Sequence, residues 1–406
     1  MAKRTVITKH GDEIPFLRGI LVKSIVRAGL SFEDAYELAQ TLRDKLDDDF
    51  ELKCSELASM TADLIEKKHG ITFRLAYEEC PNAIPETIVV HTASKDMPFS
   101  PAILAYDLEA YGIDNSTALK ASQSVFMQLN NYDSNEINSS EINLLTYRCL
   151  RDDFSQKIAD IFISWKAFED SDKTLLLLIG GVTGVGKSTV SHEICYKLDI
   201  PQIQSTDMIR EIIRAYLAPP IVPLLQYSSF EAWKAIPNVK SKHGLFKKSP
   251  PVVEGFLSQL SIIKPALQSS INRALQEENH MIIEGVHILP TEIDLAQAQD
   301  KAVIVPVMLA NTSKTSIKKQ LTRRGSEQTE RPSARYIGNI DHIWALQSYL
   351  LKTADNAEIP ILTNSNIKDT VSAVMALISQ NIVDHFPADD YRANWDQAKF
   401  HKSENL

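Results

Sequence analysis

The chain has 406 residues, which is long enough for two or three domains with cores of their own. Apolar residues make up 44% and charged residues 23%, an ordinary composition for a soluble globular protein. The formal net charge of -9 argues against a nucleic-acid groove, which needs a basic face, and no apolar run is long enough to cross a membrane.

The N-terminal residues and the cysteines point to one cellular setting. Residues 1–5 lack the apolar core of a signal peptide. Four cysteines are scattered without the spacing of metal ligands, namely Cys54, Cys80, Cys149 and Cys195. This usage is typical of reduced thiols in a cytoplasmic protein. We therefore expect a cytoplasmic protein that binds neither nucleic acid nor membrane, and a homo-oligomer stays open.

An internal repeat occupies the N-terminal part of the chain. Short motifs recur at an offset of 83 residues: Val6-Ile7-Thr8 as Val89-Val90-His91, Ile14-Pro15-Phe16 as Met97-Pro98-Phe99, and Ile20-Leu21 as Ile103-Leu104. Each copy has a short apolar strand, a charged turn and then apolar positions at helical spacing. This order predicts a small helical module with a β-hairpin, with copies at residues 1–88 and 89–168.

The first copy resembles the ATP-cone family of small nucleotide-binding regulatory domains. The matching residues are 6–16, with Leu21 and Ile25. The resemblance implies that the strand, the turn and the first helix hold ATP or dATP, and a purely structural role is the alternative. The second copy departs from the pattern, because its turn has no glycine and its basic residue is Lys95. We expect this copy to pack against the first and not to bind nucleotide.

The repeat is followed by a change in composition. Residues 130–141 are rich in Asn, Ser, Asp and Glu and predict a loop. Residues 142–168 carry apolar side chains at helical spacing and predict helix. We place a domain boundary at residues 169–172, followed by a larger domain at 173–385 and a C-terminal tail at 386–406.

The segment 181–188 satisfies G-x-x-x-x-G-K-[ST] between an apolar strand and a helix-forming run. Glycines let backbone N–H groups converge on phosphate oxygens, and the helix N-terminus adds positive partial charge. We predict that Lys187 reaches the β- and γ-phosphates of ATP and that Ser188 ligates Mg²⁺. The predicted nucleotide-binding residues are Gly181, Thr183, Gly184, Val185, Gly186, Lys187, Ser188 and Thr189. A glycine-rich turn that binds nothing is the alternative, and the flanking strand and helix disfavour it.

Apolar segments alternate with helical ones after residue 173. The predicted strands are Leu175 to Gly180, Pro201 to Ser205, His280 to Glu284, Ala302 to Leu309 and Ile359 to Leu362. Such runs predict an α/β fold with a doubly wound parallel sheet that is covered by helices on both faces. Because ligands of such sheets lie at the carboxyl ends of the strands, functional residues should directly follow strands.

Charged residues follow the second and third predicted strands. Asp207 is predicted to orient or deprotonate the acceptor, and Arg210 and Arg214 lie on the same helix face. A helix N-cap followed by surface arginines is the alternative. Glu284 closes an apolar strand and is predicted to hold Mg²⁺ or its water shell. His287 is a weaker candidate, since a lone histidine is more often a structural hydrogen-bonder.

Four arginines follow the fourth strand on a segment that contains Gly and Ser. They are Arg323, Arg324, Arg331 and Arg335. This pattern predicts a mobile lid whose guanidinium groups close on the transferring phosphate and exclude water. We assign catalytic roles to Arg324 and Arg331, together with Lys187, Asp207 and Arg210. A solvated basic surface is the alternative.

The motifs taken together resemble the 2-phosphoglycerate kinase family. The matching segments are Val182 to Thr189, Ser205 to Glu211, Ser228-Ser229-Phe230-Glu231-Ala232-Trp233, Gly255-Phe256 with Gln259, and Ile283-Glu284-Gly285-Val286-His287 with Pro290. Their order and spacing match over residues 175–365, and an ATP-cone-like N-terminal region is also a feature of the family. The resemblance implies a P-loop kinase that transfers phosphate from ATP to the 3-hydroxyl of 2-phosphoglycerate.

These observations predict an ATP- and Mg²⁺-dependent kinase of a phosphorylated small molecule. One alternative is a kinase of another phosphorylated metabolite, such as a sugar or inositol phosphate, because the family includes bacterial and plant relatives and a plant branch is linked to inositol phosphate metabolism. The other is a nucleotide-sensing regulator that binds ATP without phosphotransfer. The presence of Lys187, Ser188, Asp207, Glu284 and the lid arginines favours the enzyme.

Overall fold

The chain folds into two compact units. A computed structural model describes residues 4–7, 13–16, 18–28, 30, 32–46, 50–79, 88–92, 96–130, 136–237, 250–327 and 333–398. One unit spans residues 1–99 and 131–139, and the other spans residues 100–130 and 140–406. None of the helices in these described ranges combines the length and the apolar character that crossing a bilayer requires.

The first unit contains two small sheets and a set of helices. Its strands are β1 (Arg4–Ile7), β2 (Glu13–Pro15), β3 (Phe50–Lys53), β4 (Val89–His91), β5 (Asp96–Pro98) and β6 (Glu136–Asn138). Its helices are α1 (Arg18–Arg27), α2 (Phe32–Lys45), α3 (Cys54–His69) and α4 (Ile71–Glu79). Helices α1 to α3 build an apolar core in which Ile25, Leu38 and Ile65 are fully enclosed.

The two small sheets share one topology, which supports the internal repeat. In each sheet the first strand lies between an antiparallel second strand and a parallel third strand. Buried Val6 pairs with Ile14, and buried Val90 pairs with Met97. The structural equivalent of Val6 is therefore Val90 and not Val89, because the turn of the second copy is one residue shorter. The turn residues 8–12, which the ATP-cone resemblance assigns to nucleotide, lie outside the described residues.

Strand β6 corrects the prediction of a loop over residues 130–141. Ile137 is buried and pairs in parallel with Val90, in the position that Leu52 occupies in the first sheet. The residues on either side of Ile137 are exposed. Strand β6 places only this one side chain in the core, and a single apolar residue is too short a signal to be recognised as an alternating pattern.

The second unit contains the large sheet and the remaining helices. Its helices before the sheet are α5 (Pro101–Ala110), α6 (Asn115–Asn130), α7 (Ser139–Cys149) and α8 (Gln156–Glu169), with a π-helical turn at Leu150–Phe154 between the last two. Its strands are β7 (Thr174–Gly180), β8 (Gln202–Ser205), β9 (Met281–Gly285), β10 (Ala302–Ala310) and β11 (Ile361–Thr363). The other helices are α9 (Lys187–Lys197), α10 (Thr206–Tyr216), α11 (Pro251–Gln276), α12 (Lys314–Glu327), α13 (Ser333–Gly338), α14 (Ile340–Asn356), α15 (Ile367–His385) and α16 (Asp389–Gln397).

The large sheet is parallel throughout, with the strand order β11-β10-β7-β9-β8. All five predicted strands and the doubly wound α/β fold are confirmed. Leu176 and Leu178 of the central strand pack with Ile263 and Leu267 of α11 in one core. Because side chains alternate along a strand, Leu177 points to the opposite face, where it is also fully buried. Helices therefore cover both faces.

Helix α8 packs within the same unit as the large sheet. The indole of Trp165 donates to the hydroxyl of Ser379 on α15 at 3.2 Å. Asp160 accepts from the guanidinium of Arg392 on α16 at 2.9 Å. The predicted boundary at 169–172 thus does not separate two compact units, and α16 of the predicted tail is held against α8. The division into functional domains stays a prediction.

Candidate active site

The phosphate loop joins β7 to α9, and glycine is required at several of its positions. Gly181, Gly184 and Gly186 have φ values of 141°, 80° and 86°, the region in which a Cβ is strained. A Cβ at Gly181 would lie 2.6 Å from the carbonyl oxygen of Leu309, and one at Gly186 would lie 2.2 Å from the amide nitrogen of Asn364. Both the dihedral angles and the close packing therefore explain the glycines of the motif.

Lys187 is the first residue of α9, and its side chain folds back across the loop. Its ammonium group donates to the carbonyl oxygen of Val182 at 3.0 Å, and the residue is almost completely buried. A buried ammonium group at the helix N-terminus gives the loop a positive interior. This interior suits a polyphosphate.

Ser188 and Glu284 bring a hydroxyl and a carboxylate together beside the loop. The Ser188 hydroxyl donates to Glu284 Oε1 at 3.0 Å, and Glu284 is buried. The register of the sheet fixes this position, because Glu284 pairs with Ile179 of β7 and Ser205 of β8. Residues that end neighbouring parallel strands meet at one edge, as the sequence predicts for this pair.

The Ser188–Glu284 pair fits a magnesium ion. Mg²⁺ takes oxygen ligands and is held in such sites by one or two protein oxygens together with water and substrate phosphates. Among the residues that the structure describes, no cluster of three or more His, Cys, Asp or Glu side chains could form a protein-only metal centre. A hydroxyl and a carboxylate next to a phosphate loop are the donor set that leaves coordination positions for phosphate.

Asp207 and Arg210 lie on the first turns of α10, directly after β8. The guanidinium of Arg210 is mostly buried and donates to the carbonyl oxygen of Tyr227 at 3.2 Å and to Glu211 at 2.9 Å. Asp207 is more exposed, and one of its oxygens lies 3.8 Å from Arg210 Nη2. Arg214, one turn further, pairs with Glu211 and is also more exposed than Arg210.

His287 is a fully buried hydrogen-bonding residue, in line with its expected structural role. Its two ring nitrogens lie 3.2 Å from the hydroxyl of Thr206 and 2.9 Å from the side-chain oxygen of Gln259. Burial lowers the pKa of His287 to about 4, so the ring is neutral at pH 7. The charges of Asp207, Arg210 and Lys187 also act on that pKa. The ring therefore serves as a neutral hydrogen-bonding link between Thr206 and Gln259.

Known proteins with a similar sequence identify the family. No family model matches the chain. The chain is 30% identical over 288 residues to 2-phosphoglycerate kinase of Pyrococcus horikoshii, a match that covers 71% of this chain and 92% of that protein. For the Pyrococcus furiosus enzyme of the same name the identity is 29% over 288 residues, covering 71% of this chain and 91% of that protein. For the Methanopyrus kandleri enzyme the identity is 27% over 296 residues, covering 73% of this chain and 88% of that protein.

The chain belongs to the 2-phosphoglycerate kinase family. It is thus a kinase, as the motifs predict, and the P-loop is its nucleotide-binding element. A solved gluconokinase from Sinorhizobium meliloti 1021 is 12% identical and aligns with a TM-score of 0.28 over 54% of this chain and 97% of its own. A score that low carries no argument about this kinase.

The arginines predicted to form a lid have different surroundings in this 2-phosphoglycerate kinase relative. Arg335 is bound to Glu231, and its Nε donates to Glu231 Oε2 at 2.8 Å. Arg323 is exposed on α12. Arg324 belongs to the same helix, but its side chain lies outside the described residues, as does the whole of Arg331. Their contact with phosphate stays a prediction.

The Ser-Ser-Phe-Glu-Ala-Trp motif of the family, residues 228–233, contacts α13, the helix that carries the predicted lid residue Arg335. Glu231 is buried and accepts from Lys234 at 2.6 Å as well as from Arg335. Burial alone would raise the pKa of Glu231, but the ion pairs with Lys234 and Arg335 lower it below its ordinary value. The ring of Phe230 also contacts that of Tyr336 on α13, at 5.6 Å between centroids. These contacts anchor α13 to the motif.

Two asparagines at the phosphate loop were missed by sequence reasoning. Asn311 directly follows β10 and Asn364 directly follows β11. Both are buried, and each donates to a carbonyl oxygen of the phosphate loop. Their position just after a strand was the only available signal, because a single asparagine there is also typical of an ordinary turn.

Proposed function

We propose that this kinase transfers the γ-phosphoryl group of ATP to the 3-hydroxyl of 2-phosphoglycerate, yielding ADP and 2,3-bisphosphoglycerate. The observation that carries the proposal is the placement of Lys187, the Ser188–Glu284 pair and the Asp207–Arg210 pair at or directly after the carboxyl ends of three neighbouring parallel strands, β7, β9 and β8. The substrate follows from family membership, since the similar archaeal proteins carry this name.

On the nucleotide side, the loop N–H groups and Lys187 hold the β- and γ-phosphates of ATP. Ser188 and Glu284 would hold Mg²⁺, which when bound supplies positive charge to the phosphate oxygens. Phosphoryl transfer depends mainly on positioning and on charge stabilisation. The buried ammonium group of Lys187 provides both, because its hydrogen bond to Val182 fixes it across the loop.

On the acceptor side, Asp207 orients the 3-hydroxyl and accepts its proton as the oxygen attacks the γ-phosphorus. The new bond joins the 3-oxygen to phosphorus, and the bond to the β-phosphate oxygen breaks. Arg210 is proposed to bind the phosphate or carboxylate of the acceptor. Its guanidinium is pre-oriented by Tyr227 and Glu211, which reduces the entropy lost on binding.

We also infer a reducing, cytoplasmic setting without a nucleic-acid partner. Among the described residues, Cys54, Cys149 and Cys195 form no disulfide. Burial raises the pKa of Cys149 to about 11, so this thiol is unreactive at neutral pH. The net charge of -9 disfavours binding to a polyanion.

The decisive experiment is an acceptor panel. The full chain is incubated with ATP, Mg²⁺ and one of 2-phosphoglycerate, 3-phosphoglycerate, glycerate, a hexose phosphate or an inositol phosphate. ADP release is measured, and the phosphorylated product is identified by ³¹P NMR. We expect the highest kcat/KM with 2-phosphoglycerate and no product from Lys187→Ala. Faster turnover of a sugar or inositol phosphate would assign that compound as the substrate in place of 2-phosphoglycerate. ATP binding without any product would indicate a regulator.

A further inference from the structure

Asn364 ties the end of β11 to the phosphate loop. Its side-chain amide donates to the carbonyl oxygen of Val185 at 2.8 Å. Because a carbonyl oxygen can only accept, this contact fixes which end of the amide faces the loop, and the side-chain oxygen lies 3.0 Å from the hydroxyl of Thr370, which also donates to Asn366 O. The residue is buried, and its amide nitrogen fills the space that a Cβ at Gly186 would need.

Asn311 makes the corresponding contact from the end of β10. Its amide donates to the carbonyl oxygen of Gly184 at 2.9 Å. Its own backbone is held in turn by Gln347 of α14, whose side chain accepts from Asn311 N at 3.1 Å and donates to Asn311 O at 3.0 Å. Both side chains are buried, so this support is rigid.

The two contacts fix the direction of two peptide planes in the loop. In a trans peptide the C=O and the following N–H point in opposite directions, and the described residues contain no cis peptide bond. Holding the carbonyls of Gly184 and Val185 towards the asparagines therefore turns the N–H groups of Val185 and Gly186 away from them. Those N–H groups are donors that a phosphate loop offers to its ligand.

The loop needs this support because its glycine-rich backbone is flexible. Gly184 and Gly186 permit the required backbone angles but also permit many others. A loop that ordered only on binding would lose affinity through the entropy of ordering. Hydrogen bonds from two rigid side chains remove much of that cost before the ligand arrives.

We propose that Asn311 and Asn364 are positioning residues that preset the phosphate loop for ATP. The inference deepens the proposed function and rests on it only in taking ATP as the ligand of the loop. Neither asparagine is proposed to contact the reacting atoms, so the acceptor side of the reaction is unaffected.

The test measures ATP binding separately from turnover, on the full chain. Asn364→Asp keeps the shape and loses the donor, and Asn364→Ala loses the donor without adding charge. For both we expect the Kd and KM of ATP to rise about tenfold or more, with the KM of the acceptor at saturating ATP within about twofold of wild type. Asn311→Asp and Asn311→Ala should behave in the same way.

Matched controls separate donor loss from added charge and from unfolding. Asn366→Asp makes the same chemical change two residues away, where the side chain only accepts a hydrogen bond from Lys368 N, so ATP affinity should stay unchanged. Thr370→Val removes the hydroxyl beside the Asn364 side-chain oxygen and should weaken ATP binding, whereas Thr370→Ser keeps a hydroxyl there and should preserve it. The two Thr370 variants test the role of Asn364 even where an asparagine variant does not fold.

The outcomes distinguish this inference from the proposed function. Wild-type ATP affinity in folded Asn364 and Asn311 variants overturns the inference alone. Weakened ATP binding in the variants, in a protein that does not phosphorylate 2-phosphoglycerate, overturns the proposed substrate and leaves the inference standing. A wild-type chain that binds no ATP overturns both.

Discussion

The hydroxyl of Ser188 donates to the carboxylate of Glu284 at 3.0 Å, although 96 positions separate them in the sequence. The contact joins the first turn of α9, the helix that follows β7, to the end of β9, and β7 and β9 are neighbours in the sheet. The carboxylate that we propose as a Mg²⁺ ligand is thus placed beside the phosphate loop, and each element fixes the other.

Glu284→Gln should reduce kcat by about 10²-fold and raise the Mg²⁺ concentration needed for half-maximal activity. Glutamine keeps the size and still accepts from Ser188, so the loss comes from charge. Turnover is measured over a series of Mg²⁺ concentrations, with exposed Glu292→Gln as the control. An unchanged Mg²⁺ dependence in a folded Glu284→Gln protein would remove Glu284 from the metal site.

Arg210→Lys should raise the KM of the acceptor about tenfold and leave the KM of ATP near its wild-type value. The guanidinium bridges Tyr227 and Glu211 through separate nitrogens, and a lysine cannot hold both and still present a planar fork to an anion. Arg214→Lys, on the more exposed side of the same helix, is the control and should have a smaller effect. Equal increases in both Michaelis constants would contradict an acceptor role.

The part of this site that is formed by short, contiguous sequence motifs could be predicted from the sequence. The P-loop is contiguous, and Glu284 ends an apolar run, so the topology of a parallel sheet brings them to one edge. The pairing of Arg335 with Glu231 spans 104 positions and has no local signal. Arg335 was therefore expected at a phosphate, whereas the structure gives it a buried carboxylate partner.

The asparagines at the loop and strand β6 escaped prediction for related reasons. A single Asn364 after a strand looks like turn chemistry until the carbonyl of Val185 is found beside it. Ile137 is the one buried residue of β6 among polar neighbours, so neither period 2 nor period 3.6 is visible. Both cases depend on a partner distant in sequence, which periodicity does not report.

The stability of the protein should fall as the pH is lowered from about 6.5 towards 4. Burial lowers the pKa of His287 to about 4, below the value of about 6.5 in the unfolded chain. As the pH falls, His287 is therefore protonated in the unfolded chain before it is protonated in the folded protein. The contribution of His287 is fully present above about pH 6.5 and is lost as the pH falls, amounting to roughly 3 kcal/mol.

The predicted loss of stability is checked by measuring the free energy of unfolding by denaturant titration at several pH values. His287→Gln should lose most of that slope between pH 6.5 and 4 while keeping polar groups for Thr206 and Gln259. His385→Gln, on the exposed end of α15, is the control and should retain the wild-type slope. A His287→Gln protein with the full wild-type slope would show that other groups titrate.

Removal of residues 1–168 should prevent folding, whereas a chain that begins at residue 100 should fold. Phe162, Trp165 and Phe168 of α8 are all buried in the unit that contains the large sheet. Losing each such aromatic side chain costs about 3–5 kcal/mol. Three of them approach the whole stability of a domain, which is about 5–15 kcal/mol. A chain starting at Ser100 keeps α5 to α8 intact.

Circular dichroism melts, gel filtration and ATP-dependent product formation are compared for the full chain and the two truncated chains. We expect the chain from residue 100 to melt cooperatively and to retain activity, because all predicted transfer groups follow residue 180. The chain from residue 169 should aggregate, since the face of α15 around Ser379 loses its cover from Trp165. A soluble, active chain from residue 169 would show that α8 is dispensable for the kinase fold, and activity lost from both truncated chains would place a required group before residue 100.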